Sequence, residues 1–213
     1  MSAVQGPSGL KTCKADGPLE KILSRTASPY GTLQGCFISE EQVQIKGKDK
    51  VMKMPLEVAF AIAFLPHKTT SVTVADVNAL YLKTANQWKN VDQTWPKNRS
   101  NYEKKLNAMV KNILSEKPSD PGTPLSVDEP VLVSMERLSP ESYTVVSIRR
   151  RTVSMAGDHF ITTKVEGSGI VVIQGQLMRL TITKELRKSS DIESVKASLA
   201  SWVRSLPKTR ALN

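Results

Sequence analysis

Between Leu56 and Phe64 the side chains alternate in size with a period of two. Leu56, Val58, Phe60, Ile62 and Phe64 are large and apolar, and Glu57, Ala59, Ala61 and Ala63 stand between them. Only an extended strand puts every second residue on one side, so the chain has to build a sheet and cover at least one of its faces. The large side chains are expected to face a core, and the small ones to leave room for something lying close. Val43 to Lys46, the polar run Gly47-Lys48-Asp49-Lys50 and this stretch read as strand, turn and returning strand.

Helical spacing takes over after Pro66. Val74, Val77, Tyr81, Trp88 and Val91 recur at the helical interval behind Thr73 as cap, with Asp76 in the reciprocal position of a capping box. A second helix is expected after Pro96, capped by Ser100 with Glu103 as its partner and with Leu106, Met109, Val110, Ile113 and Leu114 on one face. The run Pro118-Ser119-Asp120-Pro121-Gly122-Thr123-Pro124 breaks all periodicity and predicts an exposed loop near 116–130. Strands follow over Val131–Met135, Tyr143–Val153, Phe160–Val165 and Ile170–Thr183. Gly167-Ser168-Gly169 reads as the hairpin turn between the last two, and Gly175 as a bulge. A final helix opens at Ser190 with Glu193 in capping position, buries Ile192, Val195, Leu199, Trp202 and Leu206, and closes at Pro207.

Residues 1–36 are rich in Gly, Pro, Ser and Thr and carry no sustained period, which predicts a flexible N-terminal arm ahead of a single core domain over 37–213. The expected fold class is α+β: an antiparallel sheet of about four to five strands covered by amphipathic helices. An apolar content of 39% suffices for one core. No apolar run approaches the roughly 18–20 residues that cross a bilayer. The first ten residues lack the charged start and apolar stretch of a secretory signal, so a cytosolic chain with Cys13 and Cys36 as unpaired thiols is expected; export would make them a disulfide.

Reactive constellations are wanting. His67 and His159 lie in unrelated segments without Cys, Asp or Glu at ligand spacing, so no metal site is expected. Gly167-Ser168-Gly169 precedes a strand rather than a helix and is no phosphate loop, and no serine stands in a nucleophile elbow. Neither an enzyme nor a cofactor is indicated. What the sequence offers is positive charge: formal +10 overall, with twelve Lys or Arg against five Asp or Glu in residues 143–213. Such an excess on ordered elements points to an anionic partner.

The candidate anion-binding residues are Arg149, Arg150 and Arg151 inside a strand, where two of the three share a face; Lys184, Arg187 and Lys188 in the turn before the last helix; and Lys104 and Lys105 on the second helix. An edge strand protected by charge is the competing account of the arginines, and a solvated helical face that of the lysines. Aromatic residues are scarce at 5% and do not interleave with these bases, which speaks against base stacking on single strands.

The order of elements resembles the matrix proteins of rhabdoviruses. The likeness lies in the N-terminal arm, the strand Leu56 to Phe64, the segment Thr73 to Leu80, and the glycine-punctuated stretch Val165 to Leu177. It implies a structural protein that self-associates, condenses the viral nucleocapsid and ties it to an acidic membrane surface at the inner face of the host membrane, with the viral glycoprotein tail as a further partner. The arm departs from the family's budding motif, offering only Ser28-Pro29-Tyr30-Gly31. A rival likeness is to exported bacterial domains similar to PsbP and Mog1, which implies a periplasmic binding or scaffolding role and a Cys13–Cys36 disulfide. A nucleic-acid-binding accessory domain is the third reading.

Overall fold

The computed structural model describes residues 4–46, 49, 51–64, 71–114, 126–155 and 158–206, without the side chains of 52, 102, 105–114 and 153–155. The N-terminal segment is folded, which corrects the expectation of a flexible arm. It contributes strand β1 (Lys11–Thr12), helix α1 (Pro18–Ala27) and strand β2 (Gly31–Ile38). A disulfide joins Cys13 to Cys36 with 5.3 Å between their Cα atoms, correcting the unpaired-thiol expectation. The reason is tertiary: Val4 and Leu10 pack against the core that holds Phe37, and the Gln5 carbonyl accepts the Trp202 indole N–H at 2.7 Å. Gly and Ser richness weakens local propensity, but cross-links to distant elements set the conformation instead.

Strand β3 (Gln42–Lys46) pairs with β4 (Val51–Pro55) and not with the Leu56 to Phe64 stretch expected to return on it, which forms β5 (Glu57–Phe64) and joins the main sheet between β2 and β10. Val72 leads into helix α2 (Val74–Lys89), whose capping box matches expectation: Asp76 N–H donates to Thr73 Oγ1, and Thr73 N–H donates back to the Asp76 carboxylate. Helix α3 (Val91–Leu114) starts earlier than predicted and carries Pro96 inside it. The Asn90 carbonyl accepts both the backbone N–H and the hydroxyl of Thr94, which opens the helix ahead of the proline. Glu103 therefore does not cap a helix; its carboxylate takes Arg99 Nε–H and Val127 N–H, both at 2.9 Å. Most of the loop expected near 116–130 lies outside the described residues, as does His67; residues 126 and 127 form the short strand β6 (Ser126–Val127).

The remaining strands are β7 (Val131–Ser139), β8 (Ser142–Met155), β9 (Asp158–Ile173) and β10 (Gln176–Glu185), followed by helix α4 (Ser190–Ser205). Among the described residues eight strands make one antiparallel sheet in the order β1-β2-β5-β10-β9-β8-β6, with β7 paired to β8 beyond β6. The class is the expected α+β, but the sheet is larger than four to five strands because the N-terminal segment adds β1 and β2 and residues 126 and 127 add β6.

The glycine-punctuated stretch is not a turn. β9 runs straight through Gly167-Ser168-Gly169, and the hairpin turns at Gln174-Gly175, both with positive φ (51° and 74°), a pairing suited to a two-residue connection. The glycines have another use. A Cβ on Gly169 would lie 2.8 Å from Val203 Cγ2, and one on Gly167 2.9 Å from Val195 Cγ1, so hydrogen at these positions lets α4 lie directly on the sheet. Gly169→Ala is expected to lower stability by about 1–3 kcal/mol through overpacking, read as a shift of the urea midpoint with unchanged slope; an unmoved midpoint would show that α4 adjusts freely.

The same helix reverses the reading of β5. Ala59, Ala61 and Ala63 are the buried residues, at 0%, 0% and 2% exposure, and they join Leu180, Ile182, Val195, Leu199 and Trp202 in the main core. Val58, Phe60, Ile62 and Phe64 are half-buried on the opposite face. Alternation identifies two faces, and the small side chains are the ones that join the core shared with β10, Phe37 and α4. On that opposite face a second cluster forms where Val77, Leu80, Tyr81 and Trp88 of α2 meet Tyr143, Val145, Ile170, Val172 and Leu177. α2 therefore covers the end of this face next to the β9–β10 turn.

Candidate functional site

Beyond the apolar cluster under α2, the same face of the sheet turns polar. The register of β8, β9 and β10 sets its residues in rows: Tyr143, Ile170 and Arg179; Val145, Ser168 and Thr181; Ser147, Glu166 and Thr183; Arg149, Lys164 and Glu185. Period-two alternation on all three strands produces this grid, since the residues between face α4. Arg151 stands two positions beyond Arg149 on β8, so the two arginines share the face and Arg150 points to the other.

Glu166 is the centre of the grid. Its side chain is only 16% exposed; Arg151 Nη2 approaches one carboxylate oxygen at 3.4 Å and Arg179 Nη2 the other at 3.7 Å. Arg179 also donates to Ser168 Oγ at 3.0 Å. Burial pushes the Glu166 carboxyl up, but the charges of Arg149, Arg151, Arg179 and Lys164 outweigh it and hold the group below its ordinary value. Burial, with Arg151 beside it, lowers Lys164, while Glu185 and Glu166 pull the other way. Glu185 is raised by burial, against the opposing effects of Lys164 and the Thr163 N–H that it accepts at 3.2 Å. Among the described residues four basic side chains thus share one strip of sheet with two carboxylates.

The edges of the strip are set by other elements. α2 closes one end, where Tyr143 and Thr84 hydroxyls meet at 3.2 Å. β3 lies against β9, and Asp49 N–H reaches Asp158 Oδ2 at 2.9 Å near the far end of β9. Arg99 and Glu103 of α3 fasten β6 alongside β8.

The other candidate residues go elsewhere. Arg150 is exposed and lies 3.8 Å from Asp128. Lys184 is neutralised inside the fold, 3.3 Å from Asp191 and 3.9 Å from Glu57 at 13% exposure, with Ser194 Oγ at 3.1 Å; it is a structural ion pair rather than part of an anion surface. The Asp191 carboxylate accepts the backbone N–H groups of Arg187 and Lys188 as well, organising the entry to α4 in place of the expected Glu193. Arg187 pairs with Glu41 at 2.8 Å, Lys188 and Lys104 are exposed away from the grid, and the side chain of Lys105 lies outside the described residues.

Sequence reading therefore identified Arg149 and Arg151 but missed Lys164, Glu166 and Arg179. A signal for them exists: Thr162, Lys164, Glu166 and Ser168 alternate with Val165, Gly167 and Gly169. Reading the glycines as a turn cut that strand at its central residue. Among the described residues no three His, Cys, Asp or Glu side chains gather as metal ligands, and no helix is long and apolar enough to cross a membrane. No family model and no curated protein matches the chain.

Proposed function

We propose that this protein is a non-enzymatic binding domain of an oxidising compartment that holds an acidic partner against the polar face of its sheet. The observation that carries the reading is the gathering of Arg149, Arg151, Lys164 and Arg179 around Glu166 on one strip, where among the described residues they outnumber the acids Glu166 and Glu185. Guanidinium groups on paired strands are held in fixed geometry, which favours recognition of oxyanions over diffuse attraction.

Of the two family likenesses, the disulfide favours the exported one. A matrix protein would work in the cytosol, where thiols are held reduced, and the N-terminal segment that would dock on a neighbouring copy is instead tied into its own sheet by Cys13–Cys36 and β1. The matrix reading keeps the charge excess in its favour and requires the bond to be absent in the cell.

Neutralising the strip tests the proposal. Arg149→Gln with Arg179→Gln is expected to weaken retention on an immobilised polyanion such as heparin at least about tenfold in affinity, since each removed charge contributes on the order of 1 kcal/mol beside an anionic surface. The control, Lys188→Gln with Arg204→Gln on exposed positions outside the strip, should change it less than twofold. Equal losses in the two variants would mean that net charge alone acts, and the site would be dismissed.

A further inference from the structure

The two edges of the main sheet differ. β1 closes one with two residues, whereas along the other the two residues of β6 and the nine of β7 lie end to end against β8. Among the described residues no strand pairs with the outer side of β7, and no backbone hydrogen bond reaches it from a loop. An open edge presents a row of N–H and C=O groups to a further strand. Its apolar side chains are open as well: Val131 is 61% and Leu132 39% exposed, and residues 131–135 carry no charge.

Beside this edge lies a groove of about 420 Å³, lined by Val74 and Asn78 of α2 and by Arg137, Leu138, Ser139 and Pro140 at the end of β7. Leu82 continues the helical stripe of Val74 and Asn78 by one turn and is 61% exposed. Among the described residues four of the seven exposed large apolar side chains thus belong to β7 or to this stripe, a clustering that marks an interaction surface more than a solvated one. Arg137 is the one charged residue in the lining. Its Nε–H donates to the Ser139 carbonyl at 3.3 Å and its Nη2 to the Pro140 carbonyl at 3.2 Å, and the guanidinium stands 5.4 Å over the Tyr81 ring. These contacts fix the group without neutralising it, because the neighbouring Glu136 turns to the opposite face and pairs with Lys196 at 3.3 Å.

We propose that this edge and its groove take an extended peptide of a partner protein, added as a strand to β7, with an acidic side chain on Arg137 and apolar side chains against Val74 and Leu82. Main-chain pairing supplies the affinity of such a contact, and alternate side chains its specificity. A fixed guanidinium without a carboxylate calls for an oxyanion, and the apolar remainder of the lining calls for apolar neighbours to it. The register shifts at Leu132/Ser134 and Arg137/Ser139 leave residues 134–137 as the regular run between them, so a short segment fits where a long strand does not. A second copy of this chain would bring the same two bends to the contact and interrupt it again. The site uses none of the residues of the Glu166 strip and stands independently of the reading above.

A random peptide library displayed on phage is selected on the full-length chain, and the enriched peptides are synthesised and titrated. They are expected to carry an acid with apolar residues two positions to either side, since alternate side chains share a face. Bound peptide should shift the amide resonances of residues 134–139 and slow their hydrogen exchange, and leave those of Gly167 and Gly169 in place. Lysine for the acid in the peptide should weaken binding at least about tenfold. Arg137→Glu should reverse that preference, and Lys188→Glu, on an exposed position elsewhere, should leave it unchanged. The amide map and the acid-to-lysine exchange are read on the unsubstituted chain, so they decide the matter even if Arg137→Glu fails to fold. No enrichment, or shifts confined to other elements, overturns the proposal, and equal binding of the acidic and lysine peptides overturns the stated partner chemistry. A concentration-dependent dimer in sedimentation that protects the β7 amides without peptide assigns the edge to a second copy and overturns the peptide reading as well.

Discussion

Trp202→Ala is expected to destabilise the protein by about 3–5 kcal/mol, the range for removing a buried large aromatic side chain. Trp202 is 2% exposed in the main core, its ring meets Phe37 edge-on with centroids 5.9 Å apart, and its N–H donates to the Gln5 carbonyl. One side chain thus ties the last helix to the N-terminal segment and to β2. Truncation leaves a cavity beneath α4 and a carbonyl without its donor. Trp202→Phe separates the two effects: it keeps most of the packing and loses only the hydrogen bond, and should cost about 1–3 kcal/mol. Urea denaturation of both variants measures this. A loss below 1 kcal/mol for the alanine variant would mean that the N-terminal segment does not depend on the core.

Opening the Cys13–Cys36 bond is the second large effect. The cysteines are 23 residues apart, and closing a loop of that size stabilises a folded chain by about 3 kcal/mol in the chain-entropy account. Reduction, or Cys13→Ser with Cys36→Ser, is therefore expected to lower the melting temperature by roughly 6–12 °C for a domain of this length. The loop encloses α1, and with the bond gone β1 keeps its short pairing of Lys11 and Thr12 with Ile38 and Phe37, the Cys13 N–H donated to the Cys36 carbonyl and the Lys11–Glu40 ion pair. Thermal unfolding with and without reductant reads the effect directly. Mass determination of the native protein under alkylation shows whether the bond is closed where the protein works, and a fully alkylated pair would remove the main support for an oxidising compartment.

The two predictions bear on function through β2. It carries Phe37 into the α4 core on one side and Cys36 on the other, while its neighbour β5 separates it from β10 and the polar strip. Loosening the N-terminal segment should therefore reduce stability more than anion binding. A variant that keeps its affinity while losing thermal stability would fit this order of layers.

Several elements were legible in the residues themselves. The capping box of Thr73 and Asp76, the period of α4 and the alternation in β5 are local patterns, and a local pattern needs only neighbours a few positions away to be satisfied. Arg149 and Arg151 were legible for the same reason, since two residues apart on a strand must share a face. Glu166, Lys164 and Arg179 were not, because their meeting depends on the register of three strands and on Gly167 and Gly169 continuing a strand instead of ending it. Glycine is ambiguous in sequence: it permits a turn, and it equally permits a helix to touch the sheet.

The sequence by itself determined that there would be alternating strands, amphipathic helices and a charge excess in the last third. Which face of β5 is buried, whether the first 36 residues are ordered, and which bases are neutralised internally were decided only by tertiary structure. Lys184 and Arg149 illustrate the division. Both are basic residues on strands, but Lys184 faces α4 and the carboxylate of Asp191, whereas Arg149 stands on the opposite face of the sheet, in one row with Lys164 and Glu185. Charge is a property of the residue, and whether it is available to a partner depends on what the fold sets opposite it.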